Sequence, residues 1–244
     1  MLKVLRSDAS PRFGRGPFKI RRVRPGAILG AGAETTFGPF SVFDHASLDV
    51  GTVVRMHEHV DDEILSYMWR GTMVHEDSAG HRVPISPAKL MMMNAGKSFW
   101  HEESTPDVAV ELLQIFVRPR EADLPGEVHF YDRPSDFNAG HWNLIAGPEG
   151  SAAPLKFRQQ MTVFDAHPAA GQELSVPTAG KMTPWLYVMD GTVSTGEVRL
   201  EKGDAVTDLE RPLPGLRAES DATLVLFLVD RSAQASTAGT ISGQ

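Results

Sequence analysis

The chain has 244 residues, 41% of them hydrophobic, a net charge of −7 and no cysteine. That length can bury a substantial core in one large or two medium domains. Without thiols there is neither a disulfide nor a thiolate site, so any metal must be held by nitrogen and oxygen. The longest apolar runs, such as residues 224–229, fall far short of the ~20 residues of a membrane-spanning helix. The first residues show no signal-peptide core, which with the missing cysteines gives a cytoplasmic expectation.

Residues 1–25 carry eight basic side chains (Lys3, Arg6, Arg12, Arg15, Lys19, Arg21, Arg22, Arg24) against Asp8, so the remainder is strongly acidic. A nucleic-acid arm is one reading. A solvated strand or ribbon over an acidic body is the favoured one, because net acidity opposes phosphate binding and only Phe13 and Phe18 interleave with the arginines. Beyond it, short runs rich in Val, Ile, Leu, Phe and Thr, such as 64–69, 71–76, 89–93, 186–189 and 193–200, are separated by Gly, Pro, Asp and Asn turns. No stretch keeps a 3.6-residue apolar period with caps, so helices should be few. The Pro/Gly-rich stretch 119–154 predicts a crossing between domains at 1–135 and 136–230, and Ser/Ala/Gly/Thr/Gln-rich residues 231–244 a flexible tail. The class is all-β, as two antiparallel barrels in tandem.

Two stretches carry metal chemistry: His57-Glu58-His59 and His101-Glu102-Glu103. On a strand, side chains at i and i+2 share a face, whereas on a helix they diverge. Three imidazoles and a carboxylate inside a barrel would make a mononuclear site with open positions, a catalytic pattern. Glu58 and Glu102 have the opposite parity and should point away. The halves align at an offset of 120: Gly51 with Gly171, Tyr67 with Tyr187, Gly71-Thr72 with Gly191-Thr192. In that frame His57 becomes Pro177 and His59 becomes Ala179, while Arg217-Ala218-Glu219-Ser220 matches His101-Glu102-Glu103-Ser104 without its histidine. The fold evidently does not need those histidines, so chemistry explains them better than packing.

Gly51 with five residues before His57-x-His59 and three more before Glu63 resembles the first cupin motif. Asn94-Ala95-Gly96 followed by His101-x-Glu103 resembles the second motif as pirins write it. These motifs, the tract 75–80 and the unarmed second half are together similar to the pirin family. The resemblance implies a bicupin with one metal, usually iron, in the N-terminal barrel. It places the ligands on His57, His59, His101 and Glu103. Glu63 shares the parity of His59 and is a rival for the carboxylate role, or an acceptor for an imidazole N–H. Glu58 and Val60 stand where pirins usually write proline and a basic residue.

The resemblance further implies a metal-dependent dioxygenase cleaving a flavonol such as quercetin, with dioxygen as co-substrate and Glu103 as proton acceptor. The rival is a non-catalytic, redox- or metal-dependent regulator that binds a protein partner. Fe(II) suits the donor set, and Mn, Co, Ni, Cu and Zn are alternatives. Neutral imidazoles are needed, so metal should leave as pH falls toward and below about 6. Among other residues, His75 and His81 read as solvated flanks of a hairpin. His45, His129, His141 and His167 lack ligand spacing, Met91–Met93 reads as core and Trp100 as exterior.

Overall fold

The computed structural model describes residues 1–244, which form two compact units. One contains Ser10–Pro25, Pro39–Arg133 and Gln234–Gln244, the other Met1–Ala9, Gly26–Gly38 and Pro134–Ala233. Strand pairing rather than sequence order sets this division, which differs from a single cut at residue 135. Lys3–Leu5 joins the second unit because it pairs antiparallel with Ala205–Thr207. The class is all-β: apart from the 3-10 turns Ser7–Ala9 and Pro25–Leu29, every regular element is a strand.

In the first unit a seven-stranded sheet runs Glu127–Asp132, Lys89–Asn94, Glu63–Arg70, Val110–Val117, Phe40–Leu48, Phe18–Val23, Arg12–Phe13. A four-stranded sheet runs Val53–His59, Phe99–Ser104, Met73–Asp77, Arg82–Ile85. The second unit repeats this seven-plus-four plan. The ladders do not join into a closed ring, so each unit is a cupin-like sandwich and not the closed barrel expected. Apolar residues cover both faces of the long sheet: Met91, Met92 and Met93, which alternate sides along their strand, are all fully buried in the first unit. Leu186, Val193, Leu216 and Leu224 cluster in the second.

The repeat is written into the turns. Gly71 and Gly191 both adopt positive φ (78° and 83°). A Cβ at either would sit about 2.2–2.3 Å from a backbone oxygen, of Ala109 or Asp221, so only glycine fits. Tyr67 and Tyr187 are buried on the matching strands Glu63–Arg70 and Thr183–Asp190. The basic segment is matched by acids. Arg22 grips Asp44 through two bonds of 2.8 and 2.7 Å, and Arg6 binds Asp204 at 2.7 Å.

Two expectations change. Arg217 and Glu219 do not take the places of His101 and Glu103: on strand Leu216–Ala218 the buried residues are Leu216 and Ala218. Glu219 bonds Arg199 on an exposed surface. A one-residue slip in strand register reverses every face. Residues 231–244 are not a loose tail either. In the second unit the Arg231 guanidinium lies 4.8 Å from the Phe37 ring centre. In the first, Ser242 is fully buried and hydrogen-bonded to Asp62 and Ser41.

Candidate metal centre

Strand Phe99–Ser104 is the middle of the site because it pairs on both sides. His101 stands opposite His57 on one neighbour and Asp77 on the other, and Glu103 stands opposite His75. Against Val53–His59 the register shifts between His101 and Glu103. Such a bulge re-aims side chains near functional sites. The i, i+2 parity works as the sequence implied: His57, His59 and His101 converge, with ring centres 5.0, 4.4 and 5.2 Å apart. Their nearest ligand atoms lie within 4.8 Å of one another. Glu58 is exposed, and the Glu102 carboxylate bonds the Met56 amide on an exposed surface.

Glu103 belongs to a second, overlapping group of three, His75, His101 and Glu103, again within 4.8 Å. His101 is thus shared by both groups. Glu63 is buried but lies in neither; it pairs along the seven-stranded sheet with Asn94 and Val117. His75 is a correction: it is fully buried, not solvated, and only His81 keeps a side chain 44% exposed. On Met73–Asp77 the burial alternates, with Met73, His75 and Asp77 inside. That alternation was present in the sequence, but nothing in it said which face was covered.

The imidazoles are held in defined tautomers. His57 Nδ1–H donates to the Arg55 carbonyl at 2.9 Å, a group that can only accept. His59 Nδ1–H donates to the Asp62 carboxylate at 2.9 Å. Both rings therefore keep the Nε2 lone pair for a ligand. His75 is reversed: its Nε2–H donates to Asp77 at 2.9 Å, leaving Nδ1. Asp77 also accepts from the His81 ring, at 3.1 Å, and from the backbone amides of Ala79 and His81.

Burial sets the charges. The His101 imidazole is pushed down to about 2, first by burial and then by His57, His59 and His75. Burial also lowers His57 and His75, although Asp77 partly opposes it for His75. Burial pushes the Glu103 carboxyl up to about 7, against a hydrogen bond from Gln114. Burial would raise Asp77 too, but the bonds from His75 and His81 outweigh it and hold it low. Neutral nitrogen donors and an oxygen donor therefore face one another.

Both His101 nitrogens, His75 Nδ1 and Glu103 Oε1 are buried with no hydrogen-bond partner. Each such group ordinarily costs about 1–3 kcal/mol. Their gathering at one point fits a site that a cation completes, and an all-nitrogen-and-oxygen donor set suits a divalent transition metal.

Residues 18–117 match the sequence profile of pirins, and residues 144–229 that of the quercetinase C-terminal cupin domain. The chain belongs to the pirin family. This pirin is similar to quercetin 2,3-dioxygenase of Escherichia coli strain K12, 25% identical over 193 residues, covering 78% of this chain and 82% of the relative. It is also similar to a pirin-like protein of Caulobacter vibrioides, 24% identical over 194 residues, covering 78% and 83%. Bacterial pirin YhhW from Escherichia coli, solved in complex with nickel(II), shares the fold at a TM-score of 0.80 and 20% identity, covering 94% of this chain and 99% of that one. A quercetin 2,3-dioxygenase from Acinetobacter baumannii does so at 0.76 and 23%, covering 95% and 88%.

Proposed function

We propose that this pirin holds one divalent transition metal, Fe(II) by preference with Mn, Co, Ni, Cu or Zn as alternatives, on His57, His59, His101 and Glu103. On this reading it acts as a dioxygenase toward an aromatic enol such as the flavonol quercetin. The observation that carries the proposal is the convergence of His57 and His59 on buried His101, whose two ring nitrogens, with Glu103 Oε1 within reach, have no hydrogen-bond partner. The names of the relatives supply the substrate class and the co-substrate, dioxygen. When bound, the metal supplies Lewis acidity toward a substrate oxygen and a path for electrons to dioxygen.

The chain's own residues do the rest. His57 and His59 are fixed with Nε2 inward by Arg55 and Asp62. His57 stays half-buried on Val53–His59, an edge strand of its sheet. Glu103, deprotonated when it holds the metal, is the carboxylate that would accept the substrate hydroxyl proton, help typically worth about 10²–10⁴ in rate. Gln114 holds the carboxylate in place.

The test is elemental analysis of protein purified without a metal-affinity column, followed by oxygen uptake with quercetin. The expected result is one metal per chain and uptake that depends on quercetin. Metal-replete protein that consumes no oxygen with quercetin or related flavonols would overturn the enzyme. A second reading is a metal-dependent regulator binding a protein partner. It is favoured by Met56 and Trp100, exposed on the two strands that carry the histidines.

A further inference from the structure

Asp62 directly precedes strand Glu63–Arg70, and its side chain is fully buried. One face of its carboxylate takes the proton of His59: Nδ1–H to Oδ2 at 2.9 Å. The other face is met by residues about 180 positions later in sequence. The Ser242 amide donates to Oδ1 at 2.9 Å, the Ser242 hydroxyl to Oδ1 at 2.7 Å, and the Ile241 amide to Oδ2 at 3.1 Å. A carboxylate accepts on both oxygens, so it can satisfy an imidazole on one side and two amides and a hydroxyl on the other.

The segment 237–244 is built to deliver those donors. The Ser242 carbonyl accepts from the Ser41 hydroxyl at 2.6 Å and from Arg118 Nε at 2.9 Å. All three polar groups of Ser242 are therefore used. Thr240 and Val60 exchange bonds: Thr240 N–H to the Val60 carbonyl at 2.9 Å, and Val60 N–H to the Thr240 hydroxyl at 2.8 Å. Val60 follows His59 directly, so the segment is tied to the loop that carries this imidazole. A Cβ at Gly239 would lie 2.0 Å from Ser242 Oγ and 2.5 Å from Asp62 Oδ1. Glycine there lets the turn close onto the carboxylate.

We infer that segment 237–242 is a strap that positions the metal-facing imidazole of His59 through Asp62. Asp62 and Ser242 are positioning residues: neither belongs to the two donor groups, and each acts through its neighbour. Asp62 fills the acceptor role that sequence parity offered to Glu63. A carboxylate held from behind keeps the His59 tautomer and ring angle fixed, and losing such outer partners typically costs 10–100-fold in metal affinity. Asparagine cannot replace it, because its amide would set N–H against either the imidazole N–H or the strap's donors. The inference rests on the metal-site reading above.

The test uses the full chain prepared metal-free, with Co(II) as the probe, beside Asp62→Asn, Ser242→Ala and a chain stopped after Ser236. Competition with a chromophoric chelator gives affinity, the visible Co(II) spectrum reports ligand geometry, and far-ultraviolet circular dichroism reports the fold. Asp62→Asn and the shortened chain should each bind Co(II) about 10–100-fold more weakly, with an altered visible band and unchanged dichroism. Ser242→Ala should lose less, with the same change of band. Parent-like affinity and spectrum in the first two variants overturn the strap. Weaker binding with an unaltered spectrum does so as well, since it leaves only a structural role. If the shortened chain unfolds, Asp62→Asn and Ser242→Ala decide by the same criteria. Parent protein that takes up no Co(II) instead overturns the metal-site reading and the strap with it.

Discussion

Glu103 and His75 face each other across the pair of strands Phe99–Ser104 and Met73–Asp77, and each leaves one buried polar atom, Oε1 and Nδ1, without a hydrogen bond. His75 is backed by Asp77, which is in turn reached by the half-exposed His81. A hydrogen-bonded row, His75–Asp77–His81, therefore leads outward from beside the carboxylate of the site, in a setting that the histidine motifs alone did not reveal.

The Glu103 carboxyl should write its own signature into the stability of the metal-free protein. Its ordinary value is 4.5 and burial raises it to about 7 in the fold. The folded state keeps a proton that the unfolded chain gives up, so this contribution is fully present below about 4.5 and is lost as pH rises to about 7. Gln stays neutral throughout. Metal-free Glu103→Gln should therefore gain thermal stability over the parent as pH rises from 4.5 to 7.5, with no such trend below 4.5. A difference that stays flat across that range contradicts the assignment. In loaded protein the same change should cut oxygen uptake about 10²–10⁴-fold.

His101 predicts the opposite slope and a late release of metal. Its folded value of about 2 lies below the ordinary 6.5. The unfolded chain takes a proton that the fold refuses, so stability present above about 6.5 declines as pH falls toward 2. Protons compete poorly for imidazoles held neutral by burial, and His57 is lowered as well. Metal release followed with a chelator should have its midpoint below pH 6. A midpoint at or above 6.5 would show that the imidazoles titrate as if exposed.

His75→Ala should weaken the fold, because it takes from buried Asp77 a hydrogen bond to a charged group. Bonds of that kind contribute about 1.5–3 kcal/mol, and urea unfolding at neutral pH measures the loss. The carboxylate keeps His81 and two backbone amides, so the protein should still fold. Metal content should persist on the other three imidazoles, whereas its loss would make His75 a ligand in its own right.

The paired turns offer a test of the repeat. Gly71→Ala and Gly191→Ala should each destabilise by roughly 1–3 kcal/mol, since both force a Cβ onto a backbone oxygen at positive φ. Near-equal shifts in thermal midpoint are expected. A tolerant Gly191 would mean that the second unit's turn has relaxed.

Much of this was legible before any coordinates. The side-chain alternation of a strand is local, so the shared face of His57 and His59 and the outward Glu58 could be read directly. Turn glycines are local too, which is why Gly71 and Gly191 marked the repeat. The second half was less readable: residue matching placed Arg217 under His101, but pairing in the fold buries Leu216 and Ala218 instead. Register is fixed by partners on other strands, not by the strand's own residues.

The sequence by itself determined the all-β class, the doubled plan and the shared face of His57 and His59, because each rests on short-range periodicity and spacing, and its two motifs carried the resemblance to pirins. The tertiary structure alone decided that His75 lies inside beside Glu103, and that Asp62 rather than Glu63 backs His59. It also decided that Ser242 closes on Asp62 from 180 residues away. Small polar residues such as those in 231–244 look like a loose tail in sequence. They become structural when a buried carboxylate elsewhere needs their donors, and only a fold can bring that carboxylate to them.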